Sequence, residues 1–353
     1  MRDFRSKAAR GVTPYVCGEQ PTDRDYIKLN ANENAYPPTP NVAAAVQAEL
    51  ERLQYYPDMT SASLRKAISR AHGLRPGQVY VGNGSDEVLA FTFLTFFSGK
   101  RLAAPDLTYS FYPTYAKLFS VDYLEVPLRA DFTVDVEALL AADGDVILAN
   151  PNAPTSVALP QEAVCNLAQR LSDAGHMLVV DEAYAAFAEE DAIALVNAFD
   201  NVLVVRTFSK AHALAGLRIG YAMGCEALVE ALLSVKDSIN SYPLDRVAAA
   251  AAKAAIEDEA YLQGTVEQIC RTRDRTAQRL RALGFCVLPS QTNFLFVSHP
   301  QLPAQALLGS LRADGILARH FGHPRIENYL RITVGTDAQM DRVVASVARA
   351  IGR

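Results

Sequence analysis

A lysine near the middle of the chain, Lys210, stands among side chains that could together perform amine chemistry on a phosphorylated aldehyde. It follows an apolar run and Ser209, and Arg218 comes about two helical turns later. A lysine amine can form an imine with an aldehyde, while hydroxyls and a planar guanidinium can hold a phosphate. Because a lone lysine is normally a solvated surface residue, this prediction depends on what the rest of the chain supplies.

A tight turn after a short predicted strand opens a helix at Gly84, Ser85 and Asp86. The first N–H groups of a helix are unpaired and lie at its positive end, so this turn could hold a phosphate. Gly82 and Gly84 also fit the start of a dinucleotide-binding pattern, but Glu87 stands at the third glycine position. We therefore do not predict a nicotinamide site here.

Polar residues follow two further predicted strands. Asp181 comes directly after the apolar residues 177–180, Tyr184 follows it, and Asn152 lies in a proline-bracketed turn after the strand 145–149. A buried carboxylate is costly unless a cation pairs with it, and a protonated pyridine nitrogen is such a cation. In open α/β sheets ligands bind beyond the carboxyl ends of the strands, so these residues are expected to lie together with Lys210.

The elements that must position these residues alternate between short apolar strands and amphipathic helices. This alternation predicts an α/β fold with a mainly parallel sheet that is covered by helices on both faces. After about position 245, long helices and short strands indicate a smaller α+β domain. We expect an N-terminal arm at 1–29 that contributes to the small domain, a large cofactor-binding domain at 30–250 and a small domain at 251–353.

The composition is that of an ordinary globular protein. The chain has 353 residues and a net charge of −5, which disfavours nucleic-acid binding. Its five cysteines form no C-x-x-C pair, and they are interpreted as free thiols in a reducing compartment. The N-terminus lacks the apolar core of a signal peptide, and no run approaches the length of a membrane span. These features predict a cytoplasmic protein.

Two other patterns match known functional sites only in part. Ser63 and Lys66 match the S-x-x-K pattern of serine acylases, but the partner motifs of that class do not follow. His320 and His323 are spaced like a metal-binding pair without a third ligand, so no metal is predicted. His212 is close to Lys210 in sequence, and a packing role is the simpler interpretation.

Several segments, taken in their order and spacing, resemble a known family. NPNAPT, VVDEAY, TFSKAHALAGLRIGY and LRITVG resemble the fold-type I pyridoxal-phosphate aminotransferases. The opening LNANENAYPP, the YYPD near position 56 and HALAGLRIGY resemble the histidinol-phosphate aminotransferase branch. The resemblance covers essentially the whole chain, although Ser156 replaces the glycine that the family has after N-P-N-x-P-T.

The resemblance implies roles for the residues around the cofactor, pyridoxal 5′-phosphate. Lys210 would form the imine and later shuttle the proton, and Asp181 would pair with the pyridine nitrogen. Tyr184 and Asn152 would hydrogen-bond the phenolic oxygen, and Tyr109 would stack on the ring. The residues expected around the phosphate are Gly84, Ser85, Asp86, Thr207, Ser209 and Arg218.

The resemblance also implies a homodimer and a substrate side of the site. Tyr56 would reach the phosphate from the other subunit. Arg331 would bind the anionic tail of the substrate with Arg319 as a second candidate, and Tyr15 and Asn34 would line the entrance. The loop between the two arginines is expected to border the substrate pocket.

The implied reaction is transamination of L-histidinol phosphate by 2-oxoglutarate, which gives imidazole acetol phosphate and glutamate in histidine biosynthesis. Three alternatives stay open on the sequence. An aromatic amino-acid aminotransferase is compatible with the tyrosines and phenylalanines at 109–115. An amino-acid phosphate decarboxylase would keep Lys210 and Asp181, and a non-enzymatic sensor would carry an added DNA-binding domain.

Overall fold

The computed structural model of the chain describes residues 3–10, 12 and 18–352. Its α-helices are α1 Lys7–Arg10, α2 Asn41–Glu49, α3 Ala62–Ala71, α4 Gly84–Thr92, α5 Tyr112–Leu118, α6 Val136–Leu140, α7 Gln161–Asp173, α8 Leu195–Ala198, α9 Glu226–Ile239, α10 Arg246–Glu257, α11 Glu259–Ala282, α12 Ala304–Ala313 and α13 Asp337–Ala350. In the described part of the chain, no helix has both the length and the apolar character that crossing a membrane requires.

The strands form three sheets. They are β1 Ile27–Lys28, β2 Val79–Gly82, β3 Arg101–Pro105, β4 Asp122–Val126, β5 Asp145–Ala149, β6 Leu178–Asp181, β7 Val202–Thr207, β8 Gly220–Gly224, β9 Cys286–Val287, β10 Phe294–Ser298, β11 Ile316–Leu317, β12 Arg319–His320 and β13 Leu330–Thr333. The largest sheet has seven strands in the order β2-β8-β7-β6-β5-β3-β4. β8 alone runs antiparallel to its neighbours in that sheet, so the predicted, mainly parallel α/β fold is confirmed.

The central strands of this sheet are buried on both faces. Along β5, Val146 and Leu148 belong to one core, whereas Ile147 belongs to the core on the other face. The first core is completed by α3, α7 and α10, and the second by α4, α5 and α9. Successive residues of a strand point to opposite faces, so a strand between two helical layers must be apolar throughout.

A second unit contains the C-terminal elements. Its antiparallel sheet has the order β12-β13-β10-β9, and α11, α12 and α13 contribute to a separate core with it. The N-terminal β1 pairs in parallel with β11 of this unit. The expected small α+β unit is therefore present. The domain boundaries remain a proposal, because α10 runs through position 250 while it packs on α2 and α3.

Candidate active site

The predicted chemical residues lie at one edge of the large sheet. Asp181 is the last residue of β6, and Lys210 follows the end of β7. Gly84 begins α4 directly after β2, which has the same direction as β7 because both are antiparallel to β8. This edge is the carboxyl end of the strands, where α/β folds bind ligands.

Two adjoining cavities open at this edge. The smaller has a volume of about 240 Å³, and its described lining includes Ser85, Asp86, Tyr109, Asp181, Tyr184, Thr207, Ser209, Lys210 and Arg218. The larger, of about 660 Å³, includes Arg319, Phe321 and Arg331 in its lining. Tyr109, Tyr184 and Lys210 line both cavities, so Lys210 stands where the two volumes meet.

The Asp181 carboxyl group lies on the wall of the smaller cavity. Its Oδ2 accepts a hydrogen bond of 2.8 Å from the Tyr112 hydroxyl, and its Oδ1 accepts one of 3.3 Å from the backbone N–H of Ala183. Burial raises the pKa of Asp181 to about 6, although these hydrogen bonds and the charge of Lys210 oppose the shift. A buried carboxyl with such a pKa is suited to a cationic ligand, which would stabilise its ionised form.

The amine of Lys210 is held between backbone and aromatic groups. Its Nζ donates a hydrogen bond of 3.3 Å to the carbonyl oxygen of Ala31. It also lies 5.9 Å from the ring centre of Tyr184. Both contacts hold the amine where the two cavities meet, in reach of a ligand on which it could act as a nucleophile.

The start of α4 forms a seat that is suited to a phosphate. A Cβ placed on Gly220 would lie 2.2 Å from the backbone nitrogen of Ser85, so only glycine lets β8 approach the helix so closely. Gly84 has a φ of +82°, and a Cβ there would lie 2.8 Å from Nη2 of Arg218. The two glycines therefore bring unpaired helix N–H groups and a guanidinium to one point, as anion binding requires.

The side chain of Asp86 binds neighbouring residues of this seat and does not act as a phosphate ligand. Its carboxylate accepts hydrogen bonds from the Tyr109 hydroxyl at 2.6 Å and from Nη2 of Arg218 at 2.8 Å. An ionised carboxylate cannot donate a hydrogen bond to a phosphate, so only its backbone N–H could do so. The side chain instead holds Tyr109 and Arg218 in position.

Two hydroxyl groups complete the predicted phosphate seat. Thr207 Oγ1 accepts a hydrogen bond of 3.1 Å from the N–H of Ser209 and donates one of 3.3 Å to the carbonyl oxygen of Ile219, and Nη1 of Arg218 lies 3.5 Å from Ser209 Oγ. The two hydroxyls, the guanidinium and the start of α4 line the same smaller cavity.

The geometry does not support the predicted contact of Asn152 with a ligand. Its Nδ2 donates to the carbonyl oxygen of Leu107 and to Thr155 Oγ1, both at 2.8 Å, and its Oδ1 accepts from Thr108 Oγ1 at 2.9 Å. The side-chain amide therefore has partners for both N–H groups within the protein, and the residue is buried. The neighbouring Ala153 lines both cavities instead.

Asn34 also differs from its expected place at the entrance. Its Nδ2 donates to the backbone oxygens of Lys210 at 2.9 Å and Ala211 at 3.0 Å, and its Oδ1 accepts from the N–H of Tyr36. The side-chain nitrogen supports the loop that carries Lys210, and the side-chain oxygen is occupied by the backbone of Tyr36. Tyr15 lies outside the described residues.

The two predicted substrate arginines both lie near one aromatic ring. The guanidinium carbons of Arg319 and Arg331 are 5.8 Å and 5.4 Å from the ring centre of Phe321. Nη2 of Arg331 donates to the carbonyl oxygen of Asn30 at 3.3 Å. The structure thus brings both arginines into the larger cavity with Lys210, as the sequence predicts.

Tyr56 lies away from both cavities of its own chain. It is 80% exposed, and its ring stacks on Tyr242 with 4.8 Å between ring centres. Arg246 donates to its carbonyl oxygen at 2.9 Å, which fixes the backbone under the exposed ring. Tyr56 could therefore contribute only to the site of a partner subunit. That role stays a prediction.

Sequence reasoning missed two residues that contact the predicted ones. Tyr112 donates to Asp181, and Asn32 Nδ2 donates to the Tyr184 hydroxyl at 2.8 Å. Tyr112 follows Tyr109 at the helical spacing of three, which is the only local signal for it. Asn32 lies in a loop far from Tyr184 in sequence, so no spacing pattern connects them.

In the described part of the chain, no cluster of side chains could hold a metal ion.

Comparisons with known proteins identify the family of the chain. Residues 24–347 match the family model "Aminotransferase class I and II". The chain is 49% identical to histidinol-phosphate aminotransferase 1 of Bradyrhizobium diazoefficiens over 345 residues, which cover 98% of each protein. It is 47% identical to histidinol-phosphate aminotransferase 2 of Dechloromonas aromatica over 358 residues, which cover 100% of both.

A solved structure gives the same result for the fold. The crystal structure of histidinol-phosphate aminotransferase from Sinorhizobium meliloti in complex with pyridoxal-5′-phosphate superposes with a TM-score of 0.89 at 30% sequence identity. The superposition covers 99% of this chain and 98% of that one. By its sequence, its fold and the match of almost its full length, the chain belongs to the class I and II aminotransferase family.

Proposed function

We propose that the protein is a pyridoxal-phosphate-dependent transaminase that acts on L-histidinol phosphate and 2-oxoglutarate and yields imidazole acetol phosphate and glutamate. Family membership supports the transaminase activity. Identity of 49% to a histidinol-phosphate aminotransferase, over 98% of both chains, supports the substrate and a place in histidine biosynthesis. One structural observation carries the proposal further, namely the strongly cationic larger cavity beside Lys210.

The described lining of the larger cavity is richer in basic than in acidic groups. Its basic side chains are Lys28, which forms an ion pair of 2.7 Å with Glu33, and Lys117, Lys210, Arg319 and Arg331. Its carboxylates are Asp106, which forms an ion pair with Arg325, and Glu125. A phosphate ester and a dicarboxylate must both enter this cavity, and guanidinium groups suit both because they bind either anion through two parallel hydrogen bonds.

The residues of the smaller cavity fit pyridoxal 5′-phosphate. Asp181 presents a buried carboxyl group, burial raises its pKa to about 6, and a protonated ring nitrogen beside it would stabilise its ionised form. Gly84 and Gly220 hold the start of α4 beside Arg218 where a phosphate would bind. Lys210 and Tyr109 lie on the remaining walls, where they could hold the ring.

The chemistry divides between the cofactor and the side chains. When bound, pyridoxal 5′-phosphate supplies an aldehyde carbon that receives the amino group and a protonated ring that takes up the electron pair released at the substrate Cα. Lys210 Nζ takes the proton from that Cα and later donates it, acting as general base and then as general acid. Asp181 keeps a proton on the ring nitrogen, and Arg319 and Arg331 orient the substrate anion.

The active protein is proposed to be a cytoplasmic homodimer. Several large apolar side chains of one segment are exposed in the single chain, namely Leu50, Leu53, Tyr55, Tyr56 and Met59. A large exposed apolar patch is typical of an interface between proteins, and here it would deliver Tyr56 to the partner's phosphate seat. The free thiols of Cys165, Cys225, Cys270 and Cys286 support a reducing compartment.

A panel of substrates tests this proposal. With 2-oxoglutarate as the acceptor, kcat/KM should be highest for L-histidinol phosphate and at least about tenfold lower for phenylalanine and tyrosine, which lack the phosphate that the cationic cavity binds. A higher value for phenylalanine would identify an aromatic amino-acid aminotransferase. Release of carbon dioxide from threonine phosphate would identify a decarboxylase, and a purified protein that cannot be loaded with the cofactor would contradict the whole proposal.

A further inference from the structure

The segment at positions 30–34 runs beside both cavities and contacts functional groups on each side. The carbonyl oxygen of Ala31 accepts a hydrogen bond from Lys210 Nζ at 3.3 Å. The carbonyl oxygen of Asn30 accepts one from Nη2 of Arg331, also at 3.3 Å. These contacts place one short stretch of backbone between the amine and the substrate arginine.

Asn32 is the buried member of this segment, with 1% of its surface exposed. Its φ is +55°, a left-handed conformation that asparagine adopts more readily than most residues. Its Nδ2 donates to the Tyr184 hydroxyl oxygen at 2.8 Å. Its Oδ1 accepts from Thr333 Oγ1 at 3.1 Å, and its backbone N–H donates to that same Oγ1 at 3.0 Å.

Each hydrogen bond of this network has a defined donor. Thr333 Oγ1 accepts the backbone N–H of Asn32 and donates its own proton to the side-chain oxygen of Asn32. The amide nitrogen of Asn32 donates to Tyr184, whose oxygen is the acceptor. The phenolic proton of Tyr184 must then point away from Asn32, and Tyr184 lines both cavities.

We propose that Asn32 is a positioning residue that, with Thr333, fixes Tyr184 as a hydrogen-bond donor toward the phenolic oxygen of the cofactor. This inference rests on the proposed function. It gains weight because both N–H groups of Asn152, the other residue predicted at that oxygen, have partners within the protein. Of these two predicted donors, Tyr184 is the one whose hydroxyl proton is available for the phenolic oxygen of the cofactor.

The network also joins Tyr184 to the substrate side of the site. Thr333 and Arg331 lie two residues apart on β13, so they share one face of that strand. Both contact the segment 30–34, Arg331 through the Asn30 carbonyl and Thr333 through Asn32. The strand that carries the substrate arginine therefore also holds the group that orients Tyr184.

The orientation of Tyr184 should control a proton on the Lys210 nitrogen of the loaded enzyme. A hydrogen bond donated to the phenolic oxygen stabilises its negative charge, so less of that charge remains to hold a nearby proton. Loss of the donor should therefore raise the pH at which this nitrogen loses its proton. That transition is followed by the pH-dependent absorbance of the bound cofactor, which is independent of turnover.

The experiment titrates four forms of the cofactor-loaded protein, namely the wild type, Asn32→Gly, Tyr184→Phe and the double variant. Glycine tolerates the positive φ of position 32, so the change removes the amide without backbone strain. Asn32→Gly should raise the absorbance midpoint by about one pH unit, the effect of losing one ordinary hydrogen bond. The double variant should match Tyr184→Phe, because Asn32 acts only through that hydroxyl.

Asn30→Gly is the matched control. Asn30 belongs to the same segment, but its side chain donates to the carbonyl oxygen of Glu19 at 2.9 Å and so lies outside the Tyr184 network. The pH midpoint of the cofactor absorbance in Asn30→Gly should equal that of the wild type. Should Asn32→Gly fail to fold, Asn32→Asp keeps the shape but replaces the donor by an acceptor, which should turn the Tyr184 proton away from the cavity and raise the midpoint.

The possible outcomes separate this inference from the proposed function. A normal cofactor band with an unchanged midpoint in both Asn32 variants would overturn the role of Asn32. A further shift in the double variant beyond that of Tyr184→Phe would show that Asn32 acts by another route and would overturn it as well. Absence of any cofactor band in the wild type would instead contradict the proposed function.

Discussion

The smaller cavity is bounded by strand ends and the start of one helix, whereas the larger cavity is bounded by segments that are distant in sequence. Asp181, Thr207 and Gly84 each stand within a few residues of a buried strand. The larger cavity combines the segment 30–34, α5, β4 and the residues around β12 and β13. A rigid sheet thus positions the groups proposed for cofactor chemistry, while contacts between two units shape the proposed substrate side.

Asp181→Asn should have the largest effect, because it removes the charge at the end of the buried β6. We expect kcat/KM to fall by about 10³-fold, since a neutral amide cannot hold a proton on the ring nitrogen. Asp145→Asn is the matched control, because Asp145 is a similarly buried carboxyl at the opposite end of the sheet, where it accepts from the N–H of Met177. Comparable losses of activity in both variants would contradict the role of Asp181.

The same substitution has a predicted pH signature in the cofactor-free protein. Burial raises the pKa of Asp181 from 3.8 to about 6, so the folded protein holds this proton more tightly than the unfolded chain does. The stability that this group contributes is complete below about pH 4 and is lost as the pH rises through about 6. Thermal unfolding between pH 4 and 7 should show this loss in the wild type and not in Asp181→Asn.

Substitution on the substrate side should have a smaller effect. Arg331→Lys should lower kcat/KM for L-histidinol phosphate by about 10²-fold, because lysine cannot form two parallel hydrogen bonds to an anion. Arg325→Lys is the control from the loop that precedes β13, since its guanidinium is paired with Asp106 and the carbonyl oxygen of Leu128. An Arg331→Lys enzyme with unchanged kinetics would remove this arginine from the proposed substrate site.

Asn152→Ala should have the smallest effect on the reaction. Its amide bonds to Leu107, Thr108 and Thr155 are structural, so their loss should lower the free energy of unfolding by about 1–3 kcal/mol. The activity should stay within a few-fold of the wild type when it is measured below the unfolding temperature. If the absorbance midpoint of the cofactor shifted as far as in Tyr184→Phe, Asn152 would have a direct role.

The sequence predicts the smaller cavity better than the larger one for a physical reason. A polar residue after an apolar run is visible in a short window, and the parallel strands bring such residues to one edge, as they do Asp181 and Lys210. The side-chain direction within a turn is not visible in this way, so Asn152 was expected in the cavity that Ala153 lines. Asp86 was likewise expected at the phosphate, but the sequence does not show that its carboxylate pairs with Arg218.

Contacts between distant segments were beyond sequence reasoning. Asn32 and Tyr184 are joined by one hydrogen bond across two units, and neither residue has a neighbour in sequence that signals the other. The family resemblance placed Asn34 at the entrance, but the fold directs its side chain to the backbone of Lys210. Arg319 and Arg331 were found only through the family resemblance, since nothing in their local spacing relates them to Phe321.

The assignment of the smaller cavity as the cofactor site is tested most directly by identifying the lysine that carries the cofactor, because lysines line both cavities. Treatment of the loaded protein with borohydride should fix the cofactor to its lysine, and the modified peptide can then be identified by mass spectrometry. We predict modification of Lys210, where the two cavities meet. Modification of Lys28 or Lys117, which line the larger cavity away from Asp181, would contradict the assignment of the smaller cavity as the cofactor site.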